Sequence, residues 1–158
     1  MPATDPALAI LDFLREDERA EEVRDLLVSS EFIQEAGQLT ATEITESESR
    51  RLQMPDLDSR ALAITVQDAG DKPETDERVI QDTVIRIFDR GRGYDRIRPV
   101  RNAIRHLLRL PLVFSIGEQR GMLELRYTGR TGIRFDMEAH VFYEALSYQA
   151  RVVEVFDD

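Results

Sequence analysis

Four arginines offer the clearest chemistry in this chain. Arg98, Arg101, Arg105 and Arg109 lie three or four positions apart, which on a helix lines their guanidiniums along one side. A guanidinium is permanently charged, and its planar fork of donors matches a phosphate or a carboxylate. Such a stripe therefore grips nucleic-acid phosphates, or it pairs with acid in the same chain or in a neighbour. The formal net charge of −10 weighs against the first use, because affinity for DNA needs a net basic footprint. The stripe also lacks the interleaved aromatics on which bases stack. These four arginines are read as a candidate subunit interface.

Other reactive residue types are scattered. There is no cysteine, so disulfides, thiolate metal sites and cysteine nucleophiles are excluded. The two histidines, His106 and His140, are far apart in sequence and read as structural or surface residues. Asp56 with Asp58, Asp68 with Asp71, Asp76-Glu77 and Asp157-Asp158 are neighbouring carboxylates. Acid–base work needs two carboxyls at a defined separation in unlike environments, and among 31 acidic residues such neighbours arise by chance. Ser29-Ser30 has no nucleophile-elbow context. Thr128-Gly129-Arg130-Thr131-Gly132 has neither the spacing nor the lysine of a phosphate loop and reads as a hairpin turn. No enzyme signature, cofactor site or metal site is expected.

The elements that position the arginine stripe come from its surroundings. Val79 to Phe88 is β-branched and apolar over most of its length and reads as a strand. Asp89-Arg90-Gly91-Arg92-Gly93 ends it in a glycine turn. A helix follows from about Tyr94 to Leu110, with Ile97, Val100, Ile104, Leu107 and Leu108 as its apolar stripe. Pro99 is placed early in it, and Pro111 stops it.

Upstream, residues 5–30 read as helical, with Asp5-Pro6 as cap and first-turn proline. Leu8, Leu11, Leu14, Val23, Leu26 and Leu27 supply apolar faces. The charged run Arg15-Glu16-Asp17-Glu18-Arg19 is a solvated turn of one helix or a break between two. Residues 31–58 read as an extended arm or loop insertion, with a short edge strand around Thr42–Thr45 as the alternative. Leu62, Ile64 and Val66 alternate with Ala63, Thr65 and Gln67 as a half-buried strand, and Asp68 to Asp76 reads as a charged hairpin loop. Later strands are expected at Leu112–Ile116, Met122–Tyr127 and Met137–Val155. The last changes phase, which a bulge near Glu144 would reconcile. A chain of 158 residues is expected to be a single α+β domain, 1–158. Its expected core is a mostly antiparallel sheet of about four strands with two main helices on one face.

Of the 21 basic residues only Lys72 is a lysine. An acidic surplus with almost no lysine is expected of a protein in concentrated salt, where screening removes self-repulsion; the alternative is an acidic protein from a high-GC genome, where arginine codons are favoured. No apolar run of membrane-spanning length exists, and no signal peptide is expected.

The run Leu62 to Gly70, a charged loop, Ile80 to Asp89, and the helix opening at Tyr94 with Ile97, Val100, Ile104 and Leu107-Leu108 resembles the tail terminator and minor tail (tail-completion) proteins of long-tailed viruses. Leu125-Arg126-Tyr127-Thr128-Gly129 and a closing strand with Tyr148 and Val152 fit the same plan. The resemblance covers roughly residues 60–155 and rests on element order and residue type. It implies a virion protein of the head–tail neck without enzymatic activity or cofactor. Such proteins form six-membered rings that cap the tail tube, with the tail tube protein and a neck connector or stopper as partners. Genomic DNA passes through the lumen without sequence-specific binding. A connector or stopper is the alternative position, and a nucleic-acid-binding regulator or a carboxylate enzyme are the rivals outside the virion. With the salt-adapted charge, the implied source is a virus of a halophilic archaeon, assembled in the host cytoplasm.

Overall fold

The computed structural model describes residues 6–27, 33–35, 62–75, 78–89, 94–116, 119–137 and 141–156. The N-terminal stretch breaks into pieces. Helix α1 (Pro6–Glu16) buries Ala7, Ile10, Leu11 and Leu14, the i, i+3, i+4, i+7 stripe of an amphipathic helix. Asp17 then stops it. Its carboxylate accepts from the Arg19 backbone N–H at 2.8 Å and from the Arg19 side chain at 3.0 and 3.1 Å, capping a single 3-10 turn (Glu18–Ala20). The Arg19 guanidinium also lies 5.0 Å over the Phe13 ring, and Arg24 donates to the Leu14 carbonyl left open at the end of α1. Helix α2 (Glu21–Leu26) follows, with Val23 buried. The charged run is thus a break between two helices.

The strands are β1 (Ile33–Glu35), β2 (Leu62–Thr75), β3 (Arg78–Asp89), β4 (Leu112–Ile116), β5 (Gln119–Arg130), β6 (Arg134–Asp136) and β7 (Val141–Phe156), with helix α3 (Tyr94–Leu107) between β3 and β4. They form one sheet in the order β1-β2-β3-β7-β5-β4, with β6 paired to β7. All pairs are antiparallel except β1 with β2. Strand β7 is central, since β3 occupies one edge and β5, then β6, the other.

One face of the sheet meets the helices. Ile64 on β2, Ile85 and Ile87 on β3, Leu146 and Tyr148 on β7, and Leu123 and Leu125 on β5 join α1 and α3 in a single core. Helix α3 contributes Ile97, Val100 and Ile104, and Leu108 follows directly after it, all essentially buried. Each such side chain contributes about 1.5–3 kcal/mol relative to exposure.

The α+β class and the antiparallel bias hold. The sheet has seven strands among the described residues, where about four were expected; β1 and β6 are three residues long, too short for a periodic signal. Residues 68–75 are strand, not loop: β2 pairs with β3 out to Thr75↔Arg78, with irregularities at Asp68/Gly70 and Pro73/Thr75. Beyond β1, the distal half of β2 has no second neighbour among the described residues, and a proline is tolerated at such an edge. Helix α3 ends at Leu107, before the expected Leu110, and Pro99 falls in its second turn, so the Asp95 carbonyl lacks its usual i+4 donor. The turn at 128–132 begins later, because Thr128 to Arg130 remain in β5. The final strand starts at Val141, and its ladder with β3 runs unbroken through Glu144, so no bulge lies there. The phase change has another cause. At this end both faces are buried: Phe88 and Tyr143 pack at 6.5 Å on the second face while Glu144 occupies the helix face. The glycine turn 90–93, His140 and the Thr42–Thr45 strand lie outside the described residues, as does 31–58 apart from β1.

Candidate interface around the arginine helix

Helix α3 carries two kinds of arginine. The first kind turns into the molecule. Arg96, in the first turn, reaches Asp89 at 3.3 Å; Asp89 is the last residue of β3 and is fully buried. The pair clasps the entry of α3 to the strand that feeds it. Arg101 reaches Glu144 at 3.2 Å to Oε1 and 3.4 Å to Oε2. Glu144 stands opposite Ile87 on the helix face of the sheet and is fully buried. Arg130, at the end of β5, donates to the same carboxylate at 2.8 Å. One carboxylate thus joins α3, β5 and β7 through two guanidiniums. A carboxylate in an apolar core is tolerated only when paired and hydrogen-bonded in this way.

The loop after β5 is fixed to the same strand. The Thr131 N–H donates to the Ala145 carbonyl, and the Ala145 N–H donates to Thr131 Oγ1, both at 3.1 Å. Gly132 has φ +77°, a left-handed value that turns the chain from β5 into β6 at no steric cost.

The second kind faces outward. Arg105 lies 4.1 Å over the Tyr127 ring, a cation–π contact. Arg109 is exposed, and its Nε donates at 3.4 Å to the His106 carbonyl. Arg98 is exposed on the same helix. Among the described residues no carboxylate pairs with Arg98, Arg105 or Arg109. Beside Arg105 and Arg109 an open groove of about 430 Å³ runs between α3 and strands β5 and β7. Leu108, Leu125, Tyr127 and Tyr148 give it an apolar side, and Asn102 and His106 complete the lining. Tyr127 and Tyr148 meet edge-on at 5.6 Å. Burial pushes the Tyr148 phenol up to about 12, and the Arg105 charge pulls against that rise.

The sequence-predicted stripe is therefore split. Arg101 is an internal ion-pair partner, while Arg98, Arg105 and Arg109 remain at the surface. Arg96, Arg130, Asp89 and Glu144 carry as much of the site as the four expected arginines, and none was singled out. Their signal was a charged residue inside an apolar strand, visible at Glu144 and Asp89. His106 is an exposed helix residue. Among the described residues no group of three or more His, Asp or Glu could hold a metal ion. No described helix is long and apolar enough to cross a membrane.

No family model matches this sequence, and no curated protein matches it. The structure, however, is similar to a chain in the solved virion of a native gene transfer agent (GTA) particle, with a TM-score of 0.62. The superposition covers 94% of this chain and 93% of that chain at 19% sequence identity. The two chains share a fold.

Proposed function

We propose that this chain is a structural protein of a virion, and more finely a tail terminator. In this reading six copies form a ring at the head–tail neck, cap the tail tube and join it to the head-side connector, with DNA passing through the lumen. The observation that carries the reading is the end-to-end structural similarity to a chain of a gene transfer agent virion. The resemblance in element order to tail terminator proteins points the same way. The role needs no catalysis and no cofactor. It needs surfaces that repeat between copies, and α3 offers cations without acidic partners among the described residues for that purpose. The net charge of −10 keeps DNA from adhering to the ring, and the near absence of lysine fits a virus of a halophilic archaeon.

Light scattering of the purified chain at molar and at low salt tests the reading. The expected species is a defined hexamer of the 18.2 kDa chain. A stable monomer that binds duplex DNA at low salt would overturn it in favour of a nucleic-acid-binding regulator.

A further inference from the structure

The groove beside α3 has an apolar floor and a cationic rim. Leu108 and Tyr148 on the floor are almost fully buried. On the rim, the Arg105 guanidinium is held 4.1 Å over the Tyr127 ring, which limits its freedom before any partner arrives. Arg96 and Arg101 have their acids within the chain, whereas Arg105 and Arg109 have no carboxylate among the described residues. Such a groove selects a segment that presents carboxylates next to an apolar side chain. The chain itself carries one. Helix α2 exposes Glu22, Asp25 and Leu26 at i, i+3 and i+4; Leu26, three positions on from buried Val23, flanks the buried side, and Asp25 is turned away from it. Leu26 is 39% exposed, one of five large apolar side chains exposed among the described residues.

We propose that the groove receives α2 of a second copy of this chain, with Leu26 over the floor and Glu22 and Asp25 against Arg105 and Arg109. This rests on the ring reading above and names its subunit contact. No residue of α2 lines the groove, so the two patches are distinct; the contact is heterologous and propagates from copy to copy. A nucleic-acid backbone would also satisfy the cations. It would, however, approach a chain of charge −10.

The test is a charge swap read by sedimentation at low salt. Arg105→Glu with Arg109→Glu should weaken self-association about tenfold or more, and Glu22→Arg with Asp25→Arg should do the same. All four substitutions together should restore it, because each pair again meets its opposite. Restoration also guards against misfolding, since a damaged fold would not recover. Unchanged association of either double variant, or no recovery in the quadruple variant, would overturn the proposal. So would loss of binding to a duplex DNA probe on Arg105→Glu with Arg109→Glu while association persists. Incorporation of wild-type chain into particles is scored separately. Wild type in particles with an unaffected double variant sinks the contact and spares the virion reading; a swap that behaves as expected, with no chain in particles, does the reverse.

Discussion

Glu144 is the residue on which the site depends. Its carboxylate has no exposed surface and is shared by Arg101 and Arg130. Removing the carboxylate leaves Arg101, 12% exposed, largely shielded from water without its acid, while Arg130, 41% exposed, can turn to solvent. Glu144→Ala should therefore lower stability by about 3 kcal/mol, seen as an earlier denaturant midpoint. Arg101→Glu should cost at least as much, because it sets a second carboxylate against the first. Arg98→Glu, at an exposed position, should stay within about 0.5 kcal/mol. Arg101 is therefore unsuited as an interface probe, although its spacing alone recommends it. Tyr148 makes a different prediction. Its pKa is raised to about 12 in the folded chain, against about 10 for an unfolded tyrosine. A raised pKa contributes stability that is whole below the unfolded value and is lost as pH rises through the folded value. Alkaline unfolding should therefore include a loss between about pH 10 and about pH 12 that Tyr148→Phe abolishes, followed by phenolate absorbance.

At the scale of elements, the break between α1 and α2 depends on Asp17. Its pKa is lowered chiefly by the side-chain hydrogen bond from Arg19; burial opposes this, and the Arg19 backbone N–H and the Arg19 and Arg24 charges add to the lowering. A lowered carboxylate pKa means stability present above the ordinary carboxylate range and lost as pH falls through the folded value. Asp17→Ala should cost about 1 kcal/mol at neutral pH, the usual cost of a lost cap, and the difference from wild type should vanish in acid. Long periodic elements were legible from sequence: the Ile97, Val100, Ile104 stripe announces α3, and Leu62, Ile64, Val66 announce β2. What stayed hidden follows from physics that one sequence does not display. Arg101 and Glu144 are 43 positions apart, so no local pattern pairs them. The three-residue strands β1 and β6 exist because long neighbours offer them a free edge. The charged run 68–75 is strand because β3 supplies a ladder for it, which outweighs its loop-like composition.

Over the whole molecule, one core joins the helices to one face of a sheet built around β7. That core leaves the groove side of α3 and the acidic side of α2 at the surface. An assembly made from such faces is electrostatic at its rim and apolar at its centre, so salt tunes association more than folding. We propose that this body is a ring in the neck of a virion. Electron microscopy of purified particles labelled with gold-coupled antibody against the chain tests it most directly. The account predicts label at a single place, the junction of head and tail. Particles that carry no label would contradict it, and label spread along the tail would contradict the position in the neck.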